Sequence, residues 1–323
     1  MACIFVREMS LINLSIIIPV YRSQKTIEEL YRRIVAAIKP LDINFELLFV
    51  EDCGGDDSWD IIQALAHDHQ NVRGIKLARN YGQHNALLCG IRAAQGEIIV
   101  TCDDDLQNPP EEIPKLLNRL NEGVDVVYGS PNVETHGLMR NLASRITKLA
   151  LQSAMGADTA QKVSAFRAFR AYLRNSFADY RGPTVNIDVL LTWGTTRFAA
   201  VKVRQDERVV GTSGYTLRKL IHHAMNMMTG FTTLPLQMAS IAGFFFGVFG
   251  LILLLYVVGR YLVEGSSVPG FPFLASIIVI FSAVQLMALG VFGEYLARIH
   301  FRSMERPSYT VFDETKTISG RDS

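Results

Sequence analysis

Charge is scarce in this chain. Asp, Glu, Lys and Arg make up 20% of its 323 residues against 49% hydrophobic ones, and the net charge is only +1. So even a balance identifies no partner by itself, and nucleic acid is not among the partners expected. Cysteine is sparse too: Cys3, Cys53, Cys89 and Cys102 show no C-x-x-C spacing, which argues against a disulfide framework and for reduced thiols. No Gly-x-Gly-x-x-Gly follows the first strand-like run, which disfavours a dinucleotide-binding Rossmann domain. The apolar run around Leu11 to Val20 has neither the basic start nor the small-residue cleavage site of a secretory leader.

Two long apolar segments are present, and they account for the hydrophobic excess. Residues 236–259 and 271–293 carry no charged side chain, and each is long enough for a helix to cross a bilayer, which takes roughly 20 residues. The link "RYLVEGSSVPG" has the Gly and Pro of a turn. A buried helical hairpin inside a soluble core is the alternative reading. Arg218, Lys219, Arg298, Arg302 and Arg306 flank the outer ends, against Arg260 in the link. The excess of bases at the outer ends places both termini, and the large N-terminal part, on the cytoplasmic side of a multi-pass membrane protein.

The first 130 residues alternate short β-branched runs with helical patterns. "LSIIIPV", "FELLFVE", "VRGIKLA", "EIIVTCD" and "VDVVYG" read as strands. Ile27, Leu30, Ile34, Val35 and Ile38 share one helical face, and "GQHNALLCGIRAAQG" reads as a helix ended by Gly96. Such alternation predicts a mainly parallel α/β sheet, whose ligands bind beyond the carboxyl ends of the strands. The polar residues fall there: Tyr21 after the first strand, Glu51 and Asp52 after the second, Arg79 and Asn80 after the third, Asp103 to Asp105 after the fourth.

Acid is concentrated at two of those ends. Residues 51–60 and 103–112 each carry Asp and Glu with no Lys or Arg among them. Asp103 and Asp105, with Gln107 beyond, are oxygen donors suited to a hard divalent cation, Mg²⁺ or Mn²⁺, shared with a diphosphate. The same acids also suit the start of the helix expected from "PPEEIPKLL", so that signal stays double. In residues 137–177 the balance reverses: Arg140, Arg145, Lys148, Lys162, Arg167, Arg170 and Arg174 stand against Asp158 alone.

"IIIPVY", "FVEDCGGDDS", "LARNYGQHNALLCGI", "DDDLQNPPEEIPKLL" and "VVYGS" together resemble the motifs of family-2 glycosyltransferases with a GT-A fold. "RVVGTSGYTLRKL" and "FTTLPLQ", placed before the apolar pair, are similar to the membrane-bound polyprenyl-phosphate branch, which includes dolichyl-phosphate mannose synthase and bacterial undecaprenyl-phosphate sugar transferases. The resemblance implies a tail over 1–13, a GT-A domain over 14–180, an extension and juxtamembrane segment over 181–235, two transmembrane helices over 236–295 and a cytoplasmic tail over 296–323. It implies inverting transfer of a sugar from a nucleotide-sugar donor, with UDP favoured, to undecaprenyl phosphate at the bacterial inner (plasma) membrane, for cell-envelope polysaccharide or lipid A modification. Assembly as a homo-oligomer is implied as well.

The resemblance also distributes roles. Pro19, Tyr21, Asp52, Arg79 and Asp103 would bind the nucleotide sugar; Asp103, Asp105 and Gln107 would hold the metal and the reacting diphosphate. Arg140, Ser144, Arg208 and Ser213 would contact the acceptor phosphate. Arg140 and Ser144 are four apart, so both can face one phosphate from one side of a helix, and Leu138, Leu142, Ile146 and Leu149 make that helix amphipathic enough to lie in the headgroup region. An ordinary packed helix with a solvated basic face is the alternative.

Several positions depart from the pattern. Arg22 and Ser23 stand where Asn-Glu is usual, Glu51 replaces the first Asp of the second-strand pair, and Ser130-Pro131 follow "VVYG" where an arginine is usual. No acid stands near Ser164 or Ala165, where many members carry one. A lipid phosphate is already ionised near neutral pH, so no catalytic base is assigned. A non-catalytic membrane scaffold retaining the fold is the second functional reading. A polysaccharide synthase is disfavoured by the lack of Gln-x-x-Arg-Trp and by two membrane helices only.

Overall fold

A computed structural model describes residues 12–131, 163–182, 185–206, 233–264 and 270–315. Its centre is strand β1 (Leu14–Val20), in which all seven residues are buried. A run buried on both faces is what a central parallel strand needs. β2 (Phe45–Glu51) pairs with β1 in parallel, β3 (Val72–Leu77) with β2, and β4 (Ile98–Thr101) with the other side of β1. Helices α1 (Ile27–Ile38), α2 (Ser58–Asp68) and α3 (Gln83–Ala93) make the crossovers, and α4 (Ile113–Leu120) follows β4. α1 buries the expected stripe of Ile27, Leu30, Ile34 and Ile38.

Beyond β4 the sheet turns mixed. β5 (Val126–Pro131) and β4 both pair antiparallel with β6 (Arg167–Arg170), and β7 (Phe198–Val203) runs parallel to β5. A short helix, α5 (Ile187–Thr192), precedes β7, with Asn186 capping it by accepting from the Val189 N–H. The core has two layers. Side chains of α1, α2 and α4 cover one face of the sheet, and those of α3 and α5 cover the other. Arg167 on β6 is fully buried, ion-paired with Asp188 on α5, and donates from Nε to Thr101 Oγ1 at 3.0 Å.

α6 (Leu234–Glu264) and α7 (Phe271–Ser303) are the two apolar helices, with 0% of their most apolar stretches buried. Both outrun the segments expected from sequence. At 31 and 33 residues they extend about 46 and 50 Å, against about 30 Å of bilayer hydrocarbon. The excess on α7 carries charge beyond Gly293, where Glu294 and Arg298 pair at 3.0 Å one turn apart.

Two further expectations change. The helix expected to end at Gly96 stops at Ala93, with Ala94 already extended. Gly96 is needed for close approach instead, since a Cβ there would lie 2.7 Å from the Ser15 backbone nitrogen. The segment read as a tail over 296–323 also supplies a strand: β8 (Val311–Glu314) returns to the sheet and pairs antiparallel with β3. The full order is β7-β5-β6-β4-β1-β2-β3-β8.

Candidate active site

The carboxyl ends of β1 to β4 meet at a cavity of 250 Å³. β1 contributes Pro19 and Tyr21, and β2 contributes Asp52. The β3–α3 connection contributes Asn80, Gly82 and Gln83, and β4 contributes Asp103, Asp104 and Asp105. A second cavity of 390 Å³ adjoins it, sharing Tyr21, Asp104 and Asp105, with Arg22 and Lys25 on its wall.

The three aspartates divide their work. Asp104 Oδ2 accepts the Tyr21 N–H at 3.0 Å and the hydroxyl of Ser23, tying the end of β4 to the end of β1. Burial pushes its carboxyl above the usual range, and those bonds from Ser23 and Tyr21 pull back toward the ionised form. Asp103 accepts from Gln83 Nε2 at 2.6 Å, which docks it against the first residue of α3. Asp105 Oδ1 accepts the Gln107 N–H at 3.1 Å, closing a tight turn whose middle residue, Leu106, has φ +60°. Left-handed backbone costs a non-glycine residue about 1–2 kcal/mol. Leu106 is 5% exposed and joins the apolar core, so its burial offsets that cost while Asp105 stays on the cavity wall.

Asp52 is 3% exposed, and its two oxygens accept the Tyr81 and Gly82 N–H groups, each at 2.7 Å. Burial raises its pKa, the two backbone bonds oppose that rise, and the neighbouring Glu51 adds to it. Gly82 has φ +90°, so the connection Asp52 secures needs glycine at that point. Glu51 sits behind it at 2% exposure, with Oε1 accepting the Gly54 N–H at 2.6 Å. Arg22 is held at φ +59°, donates to the Gly54 carbonyl at 3.0 Å and lays its guanidinium over the Tyr21 ring at 5.2 Å.

The expected site residues therefore separate into three groups. Pro19, Tyr21, Asp52, Asp103 and Asp105 come together on one cavity. Arg79 lies outside its lining, stacked over the Tyr81 ring at 4.7 Å. Gln107 also lies outside it, bonded through its backbone to Asp105 and to the Asp206 N–H at 2.9 Å. Arg140, Ser144, Arg208 and Ser213 fall outside the described residues. Reasoning from sequence missed Gln83 and Ser23, whose partners lie 20 and 81 positions away. It also missed Asp188, an acid that pairs with Arg167 of the "KVSAFRAFR" segment from 21 positions further on.

Acidic strand ends gathered over one cavity, on a mainly parallel sheet followed by two helices able to span a membrane, are the arrangement expected of a membrane-bound glycosyltransferase of the GT-A class. Residues 15–181 match the family model "Glycosyl transferase family 2", and the chain belongs to that family.

Full-length relatives agree. The undecaprenyl-phosphate 4-deoxy-4-formamido-L-arabinose transferase of Shewanella sediminis is 34% identical over 93% of this chain and 91% of its own length. The enzyme of the same name from Pseudomonas fluorescens is 33% identical over 92% and 88%. Among solved structures, glucosyl-3-phosphoglycerate synthase from Mycobacterium tuberculosis, crystallised with Mn²⁺, UDP and glucosyl-3-phosphoglycerate, is 22% identical. That match covers 67% of this chain and 77% of that one, with a TM-score of 0.49.

Proposed function

We propose that the chain transfers a sugar from a UDP-sugar to undecaprenyl phosphate at the cytoplasmic face of a bacterial inner membrane. The observation that carries this reading is the cavity that Asp103 and Asp105 share with Tyr21 and Asp52, on a chain whose next large elements are two bilayer-length apolar helices. The names of the relatives supply the acceptor class, and their match extends over the helices as well as the catalytic domain.

The residues present fit a divalent cation. Among the described residues no three acidic, His or Cys side chains form an all-protein cage. Two carboxylates on one wall is the arrangement Mg²⁺ uses when substrate phosphates and water complete its shell. Asp103 and Asp105 would hold Mg²⁺ or Mn²⁺, and the cation would supply Lewis-acid charge at the diphosphate. Gln107 enters this set only by turning its side chain toward the cavity. Asp104 is kept by its bonds to β1 as part of the frame.

The acceptor phosphate needs no base. An ionised phosphate oxygen attacks the anomeric carbon on the side opposite the nucleoside diphosphate. The new C–O bond forms as the bond to the diphosphate breaks, and the configuration inverts. The protein's contribution is alignment and charge neutralisation. Arg140, Ser144, Arg208 and Ser213 remain the proposed acceptor contacts.

β8 supports the proposed orientation: it pairs with β3 a few residues after α7 ends, so the exit of α7 lies beside the catalytic sheet. Two crossings then return the entry of α6 to that side as well, which supports an even number of spans with the basic flanks inside.

Membranes given a labelled UDP-sugar, undecaprenyl phosphate and Mg²⁺ are expected to yield an organic-extractable sugar lipid, and EDTA is expected to abolish it. Absence of such a product from every donor, with UDP binding intact, would leave the scaffold reading in its place. Screening donors by mass spectrometry of the extracted lipid identifies the sugar. Within the site, Gln83→Ala removes one hydrogen bond to Asp103 and is expected to weaken donor use about 2- to 10-fold. Gln83→Glu, which sets a like charge beside Asp103, is expected to cost more. Equal donor KM values in wild type and both variants would contradict the role given to Gln83.

A further inference from the structure

The chain leaves the apolar helix α7 at Ser303 and is back in the catalytic sheet at Val311. The segment between makes specific contacts on arrival. The Ala78 N–H donates to the Thr310 carbonyl at 2.9 Å, and the Thr315 N–H donates to the Gly74 carbonyl at 3.0 Å. Thr315 Oγ1 accepts the Gly74 N–H at 2.9 Å. Gly74 leaves little room for anything larger: a Cβ there would lie 2.5 Å from Ile62 and 3.1 Å from Thr315. The ring of Tyr309 lies under the Arg92 guanidinium at 5.7 Å, and Tyr309 and Val311 pack on the core layer built by α3.

The two elements held in this way are β3 and α3. They flank residues 79–82, the connection that Asp52 secures and that places Asn80 and Gly82 on the cavity. α3 also presents Gln83 to Asp103. The last β3-side contact, at Ala78, is immediately before that connection.

We infer that the strand returning from the membrane, residues 309–315, is a positioning element of the donor pocket. By clamping β3 to α3 it fixes the geometry of residues 79–82, so the pocket reaches its working shape only when the exit of α7 is docked on the catalytic domain. The inference rests on the reading of this cavity as the donor site. Without the strand, β3 becomes an edge with unpaired backbone groups, and the connection beyond it keeps its ties to Asp52 and to Asn85 at the start of α3 but loses the support of β3 at its other end. Tyr309 is the side chain that carries the clamp to α3: its ring lies under the Arg92 guanidinium, and its hydroxyl is hydrogen-bonded to Arg92 and Cys89, both on that helix.

The test compares full-length protein in lipid nanodiscs with a chain truncated after Arg306 and with Tyr309→Ala and Tyr309→Phe. Hydrogen exchange is read on peptides covering residues 79–83, with β1 and α1 as internal references. The truncated chain and Tyr309→Ala are expected to exchange at least about tenfold faster over 79–83, with the reference peptides unchanged. Tyr309→Phe, which keeps the ring and loses the hydroxyl's bonds to Arg92 and Cys89, is expected to fall between wild type and Tyr309→Ala. UDP affinity by calorimetry is expected to fall about tenfold in parallel, while the KM for undecaprenyl phosphate stays within about twofold. Unchanged exchange over 79–83 in Tyr309→Ala overturns the inference, as does a loss spread evenly over the reference peptides; if the truncated chain does not fold, Tyr309→Ala decides alone. Failure of wild type to bind UDP would remove the donor-site reading, and the exchange comparison would still decide whether the strand orders the connection.

Discussion

Asp105→Ala and Asp105→Asn are expected to lose turnover alike, on the order of 10²- to 10³-fold, the scale set by removing one preorganised charge-stabilising group from an active site. The pair of variants separates two roles that one position combines. Asp105 closes the turn to Gln107 through a 3.1 Å hydrogen bond, and it sits on the cavity wall as a carboxylate. Asparagine keeps the turn and removes the charge; alanine removes both. The turn bond contributes about 0.5–1.5 kcal/mol, so melting of Asp105→Ala should fall slightly and that of Asp105→Asn should stay at the wild-type value. If charge is what matters, activity falls together in the two while stability differs. Activity that tracks stability instead, with Asp105→Asn near normal, would reduce Asp105 to a turn residue and remove the cation argument. Asp104→Asn is the contrast, because Asp104 serves as a tie between β4 and β1 and its burial already favours a neutral carboxyl. Its main loss should appear in stability.

How much of this was visible beforehand depends on the range of the interaction. β1 and β2 were legible to the residue, because runs such as "LSIIIPV" have no competing local reading. The acids at the strand ends were legible by position, since a parallel sheet directs its chemistry to one edge. Contacts between distant positions were not. Nothing in "GQHN" says that Gln83 docks Asp103, and nothing in "DDD" says that the middle acid is taken by Ser23 and Tyr21. Gly96 carried a misleading local signal: glycine after a helical pattern suggests a cap, whereas here it allows contact with Ser15. β8 was missed because "VFDE" is short, half charged and separated from β3 by more than 230 positions, as the Gly74–Thr315 separation of 241 illustrates. Only the folded sheet supplies its partner.

Asp188→Ala is expected to destabilise the catalytic domain by about 3–5 kcal/mol, the cost of stranding a buried charge. Arg167 is 1% exposed and Asp188 5%. With the carboxylate gone, Arg167 retains the 3.0 Å bond from Nε to Thr101 but loses its main counter-charge. Against a total of about 5–15 kcal/mol for a domain, this should lower the melting temperature sharply and the amount of protein in membranes several-fold. Replacing both partners, Arg167→Met with Asp188→Leu, removes the stranded charge and should restore most of the stability. It should not restore turnover. Arg167 Nε holds Thr101, the last residue of β4, two positions before Asp103, so the double variant has a sound core beneath a loosened acidic tip. Melting curves and initial rates on the three proteins read the two effects separately. A loss below about 1 kcal/mol in Asp188→Ala would mean the pair is screened by solvent that the burial excludes, and full activity in the double variant would mean that the tip is positioned by Gln83 and Ser23 without help from beneath.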